Sequence, residues 1–567
     1  MIQRNPSISF MLRLSIQLLA GFLLMKGRLP TMILRNLAII NSIILIVMVV
    51  FIGVEPWYDV LLTVAQVVFV PFVLHLVIRD QRTTISTYLG YLSIPSTMSV
   101  FMLQVTENPM IDSLLAFIYF LFTIAVLAFG IIRFINRGFE YIEECMINIG
   151  LIYIAIGGGW FLAYEVGINT GFSPILTWLT AIHFHYAAFL LPIFIGFLGR
   201  MYKPPMYTFV GLALLAAPMI VALGIAFSPI IEVISVLFYI FGIFGLIVIS
   251  LKAPFNKITQ KWFVCVSFMA LGITILFSLL YSLGNMTNNY SVTIDFMLRF
   301  HGVVNSLLFA FVGVIGWSIN VPPTNFIKRT FPVSRLRGGL SIGEGFVDGK
   351  VDDRMYQGLV DDMRVYEPHI DLHSLSTTIA DFYENTSEYR LFAKIKWYHW
   401  FLPFAACYRF VSRYTKQLNL PLLSKEVEMT GDIFSIDDQL DGRLGTRAWI
   451  RKVNGETVFV ALYGFHQSHG RTYMNIALPL PASSMIGILE LNQSNDNLQL
   501  TSRKGSSVQA DSGIYLAINK FLFRLPIEED FQVKEIERGI LEAQHQMWIF
   551  SIPFLKISYK INHQSKI

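Results

Sequence analysis

The sequence predicts a polytopic α-helical membrane bundle of about ten transmembrane helices, followed by a mainly antiparallel β domain. Three observations predict it. Of 567 residues, 54% are hydrophobic and 14% charged, with a mean hydropathy of +0.57; soluble domains carry roughly 25% charged residues. Ten apolar runs fill residues 37–320, each near the roughly 20 residues that cross a hydrocarbon core. Beyond residue 424 the pattern changes to alternating strands punctuated by turn dipeptides.

The elements follow in chain order. In the N-terminal segment 1–36, residues 8–25 are apolar but broken by Arg13 and Gln17, and no small-residue cleavage site follows. This segment reads as an amphipathic interfacial helix or an extra span, not a cleaved leader. The ten-helix transmembrane domain is expected over 37–320, with spans at about 37–54, 57–78, 84–104, 110–132, 145–167, 173–198, 205–227, 229–251, 262–284 and 294–320. Cationic loops alternate with acidic ones. Lys26, Arg28 and Arg35 precede the first span, Arg79 and Arg82 follow the second, and Arg133 and Arg137 follow the fourth. Arg200 and Lys203 follow the sixth, Lys252, Lys257 and Lys261 the eighth, and Lys328 and Arg329 the tenth. The loops between carry Glu55, Asp59, Glu107, Asp112, Glu165 and Asp295. Lys and Arg stay on the cytoplasmic side, so both ends of the bundle are expected to face the cytoplasm.

Residues 321–372 read as a connector, rich in Gly, Asp and Arg from 331 onward. A β-rich cytoplasmic domain is expected over 373–567. It opens with a short helix within 376–390, and Asn454-Gly455 and His469-Gly470 divide hairpins. Seven to nine strands are expected. Asn285-Met-Thr and Asn289-Tyr-Ser match the glycosylation pattern, which arises often by chance.

Several function classes are excluded. Residues 1–330 hold 17 Lys and Arg against 11 Asp and Glu, and the excess sits in short loops, where it orients spans. The net charge of +5 is therefore no sign of a nucleic-acid partner. Cys145, Cys265 and Cys407 have no metal-type spacing and read as ordinary thiols. The Gly-rich stretch 338–345 lacks the Lys-Ser/Thr ending of a P-loop, and no nucleophile elbow or zinc-protease helix occurs.

The polar residues inside the spans carry the functional signal. His183 and His185 lie in the sixth span, and His301 in the tenth. His183 is about 15 Å deep and His301 about 10 Å deep at 1.5 Å per residue, so these rings can share the outer half of the membrane. Positions two apart on a helix point about 200° from each other, so His183 and His185 cannot both face one small site. Thr180, His183 and Tyr186 share a face, as do His301 and Asn305. A paired site would join one of His183 and His185 to His301 and Asn305. Arg299 can snorkel to the headgroups, and Glu165 is a candidate countercharge.

Three readings stay open. A proton relay or substrate-binding cavity needs a group titrating near neutral pH, which histidine supplies. A metal or haem site, with His183, His185 and His301 as candidate ligands, needs partners that complete the set. Neutral histidines that hydrogen-bond between helices would only fix packing.

Smaller features have plain readings. Gly157, Gly158, Gly159, Gly313 and Gly316 favour close helix packing. His75 reads as interfacial. Glu140, Glu143 and Glu144 read as a solvated helix end, with cation attraction as the alternative. The aromatic stretch 391–410, with Trp397, Trp400, Phe401 and Phe404, suits either the headgroup level or the core of the β domain. His466 and His469 lack the further ligands a metal would need.

Together, LTAIHFHYAAFLLP, the 301-HGVVN-305 span ending VGVIGW, DFYENTSEYR and TYMNIALPLPASSMIGIL resemble the YndJ-like family of bacterial polytopic membrane proteins, from about residue 37 to the end. The resemblance implies a multi-pass protein of the bacterial cell membrane with a cytoplasmic C-terminal domain. It implies a transporter-like protein and carries over no catalytic residue.

The expected function is transport or binding of a small molecule or ion in a His-lined cavity of the bilayer, with no cofactor. The alternatives are a membrane enzyme or redox protein with a His-bound metal or haem, and a membrane-anchored sensor or scaffold.

Overall fold

The structure is a computed structural model. It describes residues 30–566 apart from 52, 80–82, 290–291, 353, 355 and 504–508. The N-terminal segment 8–25, Arg82, and the Tyr290 and Ser291 of one glycosylation pattern lie outside the described residues. Two compact units form. One takes the described residues up to Phe134 and Tyr141–Asn325; the other takes Ile135–Glu140 and the chain from Phe326 onward.

The first unit is a helical bundle. Among the described residues, nine helices are long and apolar enough to cross a membrane: Met32–Phe51, Asp59–Ile78, Pro109–Arg137, Ile142–Val166, Pro174–Met201, Tyr207–Phe227, Pro229–Lys252, Ile258–Thr287 and Ile294–Ile319. The helix Thr84–Leu103 fills the position of the third expected span and is less apolar. Its interior carries Ser and Thr whose hydroxyls bond back to the preceding turn. Ser93 donates to the Gly90 carbonyl (2.7 Å), Thr97 to Ser93 (3.0 Å) and Ser99 to Ser96 (2.8 Å). Backbone carbonyls thus satisfy these three hydroxyls inside the helix, which lowers the cost of burying them.

Helix starts follow capping chemistry. Thr83 and Ser86 form a capping box. Pro174 and Pro229 occupy first-turn positions after Ser173 and Ser228, where the missing N–H costs nothing. Gly167 closes the fifth span with φ +71°.

Two spans change pitch just before a proline. The second is π-helical over Ala65–Phe69 ahead of Pro71, and the sixth over Tyr186–Leu190 ahead of Pro192. Proline removes an N–H and crowds the carbonyl four residues back, and the wider turn accommodates both effects. The tenth span is π-helical over Met297–Gly302 and Asn305–Phe311 without a proline.

Among the described residues, the second unit holds twelve strands, more than the seven to nine expected. β1 (Tyr389–Trp397), β2 (Glu426–Ser435), β3 (Arg447–Val453), β4 (Glu456–Ser468), β5 (Arg471–Leu480) and β6 (Ser483–Ser494) run as an antiparallel meander. β7 (Asn497–Thr501), β10 (Ile527–Glu537), β11 (Ile540–Ile549) and β12 (Ile552–His563) continue it, and β12 pairs back with β1. These ten strands close into a barrel. β8 (Gly513–Ile518) and β9 (Phe521–Arg524) form a side hairpin on β6. The extra hairpins were hidden because their turns use unusual residues. Phe550 and Ser551 join β11 to β12 with φ of 49° and 63°, and Ala482 joins β5 to β6 at φ 52°. None is a residue expected in that conformation.

Cross-strand register builds the interior of the barrel. Leu391, Ala393 and Ile395 of β1 stand opposite Ile561, Tyr559 and Ile557 of β12, and all six are buried. The helix Thr377–Glu384 adds Ile379, Phe382 and Tyr383 to the same cluster. The outer face is also covered in part. Phe331, Ile342, Phe346 and Val347 from the expected connector pack on Ile450, Val460, Leu462 and Ile488. Strand β4 is therefore apolar on both faces over VFVAL. The connector is pinned by the Ser334 hydroxyl, which donates to Asp441 at 2.6 Å. Asp441 is itself held by Arg443 at 2.7 Å.

Candidate functional site

The sixth to tenth spans of the bundle surround a cavity of about 730 Å³. Its walls reach the ends of these spans at Gly224–Ala226, Pro229, Asn285 and Ile294, and its lining includes Leu271 and Phe309. The lining is largely apolar, with polar groups supplied from four of the helices.

The sixth span contributes Thr180, His183 and Tyr186, the face expected from helical spacing. His183 is exposed to the cavity, and its Nδ1 lies 2.6 Å from the Leu179 carbonyl. The tenth span contributes His301 and Asn305. His301 Nδ1 lies 3.2 Å from the Thr274 carbonyl and 3.3 Å from the Ser278 hydroxyl. The Thr274 hydroxyl donates to Asn305 Oδ1 at 2.9 Å. Tyr186 is anchored from behind: its hydroxyl donates to the Leu61 carbonyl at 2.7 Å and lies 3.0 Å from Ser306 Oγ. All three π-helical turns of the sixth and tenth spans fall at or beside these residues. Such turns rotate the side chains that follow them and recur at functional sites.

His185 does not join the cavity. It is buried on the opposite face, where Nε2 lies 2.7 Å from the Tyr119 hydroxyl and Nδ1 2.8 Å from the Ala181 carbonyl. Gly157 makes room for it: a Cβ there would stand 3.0 Å from His185 Nδ1. Both ring nitrogens are occupied, so this histidine fixes packing. Arg299 and Glu165 also lie outside the lining. Arg299 pairs with Asp295 at 2.9 Å, one helical turn away, and its guanidinium lies 5.4 Å from the Trp57 ring. Both partners of that ion pair are exposed, as snorkelling requires.

Sequence reasoning overlooked Glu232 and read Asn285 only as part of a glycosylation pattern. Both line the cavity, and Asn285 Nδ2 donates to Glu232 Oε1 at 3.1 Å. The signal was present: Glu232 is the one acidic residue in the eighth apolar run, and an acidic group in a span is a functional candidate by default. Thr274, Ser278 and Tyr281 of the ninth span were also overlooked. They carry no charge, so they do not stand out in an apolar run.

The acidic group at the start of the fifth span is not a solvated helix end. Glu143 and Glu144 are fully buried. Glu144 bonds Arg133 at 2.9 Å and Arg200 at 2.7 Å, and Arg133 also donates to Asn148 at 2.9 Å. Glu143 pairs with Lys203 at 2.8 Å. Glu140, in the second unit, bonds Arg329 at 3.1 Å and Arg524 at 2.9 Å. Buried carboxylates persist only with such partners. The glycines likewise serve packing. A Cβ on Gly158 would stand 2.2 Å from Thr123 Oγ1, and one on Gly313 2.6 Å from Phe194 and Ser267.

Among the described residues, no three His, Cys, Asp or Glu side chains form a group that could hold a metal ion. In the second unit, His466 is buried between the rings of Phe331 and Tyr473, 3.4 Å from Asp511, while His469 sits in a hairpin turn at φ 51°.

The YndJ-like protein family model matches residues 60–309. A Bacillus subtilis (strain 168) protein, named Uncharacterized membrane protein YndJ, is 37% identical over 455 residues, spanning 79% of this chain and 83% of that protein. No solved structure matches the chain. With nine helices among the described residues long and apolar enough to cross a membrane and a homologue matching most of its length, the chain is an integral membrane protein and belongs to the YndJ-like family.

Proposed function

We propose that this protein is a transporter or binding protein for a small amphiphile, held in the cavity between the sixth and tenth spans. The carrying observation is that His183, His301 and Asn305, from two different spans, line one cavity. Each imidazole uses Nδ1 toward a backbone carbonyl. With the proton on Nδ1, Nε2 of both rings is a hydrogen-bond acceptor. Glu232 adds a carboxylate. The matching solute has an apolar body and a polar end rich in donors, such as a hydroxyl or an ammonium group.

Burying these polar groups in an apolar surround costs free energy that a donor-bearing ligand offsets. The alternating Lys and Arg loops support a bacterial cell-membrane protein with its C-terminal unit in the cytoplasm. On that orientation the cavity lies toward the outer leaflet.

The test is extraction. The full-length protein is purified in native-lipid nanodiscs, and its bound small molecules are compared by mass spectrometry with those of His183→Ala and His301→Ala. The proposal expects an amphiphile enriched over bulk lipid in the parent and depleted in both variants. Identical extracts, with no enriched species, would refute it.

A further inference from the structure

We propose that the helix Leu402–Thr415 in the second unit is a docking face for an anionic lipid surface. This helix presents its faces in an unusual way. Phe404, Phe410 and Tyr414 are 62%, 80% and 68% exposed. Tyr408 and Val411, also exposed, complete a stripe through Phe404 and Tyr414 at helical spacing. The side turned to its own unit carries the small residues Ala405 and Ser412, both buried. Arg409 donates to the Leu420 carbonyl at 2.8 Å and ties the helix down. A helix serving only its own core would turn the rings inward.

Charge identifies the occupant. The helix and its flanks, residues 398–425, contain Arg409, Arg413, Lys416 and Lys425, and no Asp or Glu. Aromatic rings amid cations suit the headgroup region of an anionic leaflet, where rings sit at the apolar boundary and cations are drawn to the acidic headgroups. Chain connectivity adds a second argument. Residues 138–141 join two successive spans and are therefore within a few residues of a bilayer surface. In that loop, the Phe139 ring lies 5.4 Å from Phe550 in the β11–β12 turn. Beside the same turn, Trp400 Nε1 donates to the Pro553 carbonyl at 2.9 Å, and the Phe401 ring lies 4.7 Å from Phe554. Trp400 and Phe401 lead directly into the exposed helix. Trp397 and Phe401 pack on the interior cluster of the barrel, so the aromatic stretch divides between core and surface.

Cys407 provides the probe. It is exposed on this helix, while Cys145 and Cys265 are buried. The full-length protein, labelled at Cys407 with an environment-sensitive fluorophore, is placed in nanodiscs containing acyl-brominated phosphatidylglycerol. The expected result is quenching relative to unbrominated discs. It is lost by more than half in Phe404→Glu/Phe410→Glu, and weakened in purely zwitterionic discs or by Arg413→Glu/Lys416→Glu. These side chains are exposed, so the variants should fold, and an unchanged gel-filtration profile checks this. A probe indifferent to bromination, or one shielded equally in lipid-free detergent by a second copy or another protein, would overturn the assignment.

Discussion

His301 is bound to the ninth span through Thr274: its Nδ1 lies 3.2 Å from the Thr274 carbonyl, while the Thr274 hydroxyl donates to Asn305 Oδ1. One residue of the neighbouring helix thus orients both polar groups that the tenth span presents to the cavity. Thr274→Val keeps the shape and removes the hydroxyl. It is expected to loosen Asn305 and weaken amphiphile retention by roughly two- to tenfold, the worth of one ordinary hydrogen bond. The check is the amount of co-purified amphiphile per protein, with unchanged thermal stability.

His183 lines the cavity while His185, two residues on, is hydrogen-bonded between helices. His185→Phe leaves the buried Tyr119 hydroxyl without its partner, which is expected to cost about 1–3 kcal/mol. His183→Ala opens a cavity-facing position and is expected to cost much less. A thermal melt of each variant in the same detergent distinguishes them. A larger stability loss for His183→Ala would reverse the assignment.

Glu144 stands between two arginines with less than a tenth of any of the three side chains exposed. Glu144→Gln removes the carboxylate and leaves Arg133 and Arg200 to share an uncharged amide. The expected cost is roughly 3–5 kcal/mol, the usual penalty for breaking one side of a buried pair. Fluorescence-detected gel filtration should show most of this variant aggregated. Exposed Asp295→Asn, which breaks only a surface pair, should elute normally.

Acid should weaken the second unit partly through Glu535. Burial alone would raise its pKa, but hydrogen bonds from the Thr378 and Ser376 hydroxyls, a backbone N–H from Gly539 and the nearby Arg538 together hold it below the ordinary value of 4.5. The folded pKa is lower than the unfolded one, so the stabilisation is complete above about pH 5 and is lost as pH falls toward the depressed folded value. Glu535→Gln should flatten that part of the acid-unfolding curve, followed by circular dichroism. An unchanged slope would show that Glu535 contributes nothing there.

Much of this architecture was legible in the sequence. Ten apolar runs mark ten helices because bilayer thickness sets helix length. The placement of His183 beside Thr180 and Tyr186, and of His301 beside Asn305, followed from helical spacing alone. The same spacing excluded a site using both His183 and His185 but left open which ring turns inward, because that depends on Tyr119 from another span. Glu143 and Glu144 looked solvated because two of their cations, Arg200 and Lys203, stand 56 and 60 residues further along the chain. The barrel was undercounted where turns use Ala482, Phe550 and Ser551. Glu232 was visible as a lone acid in an apolar run, whereas the ninth span's Thr274 and Ser278 gain meaning only from the helix they face.

The most direct test is an experimental density map of the full-length protein in native-lipid nanodiscs. The account predicts non-protein density within hydrogen-bonding distance of Nε2 of both His183 and His301, extending as an apolar body along the cavity. Imidazoles that point at acyl chains, or a gap filled by side chains with no bound molecule, would contradict it.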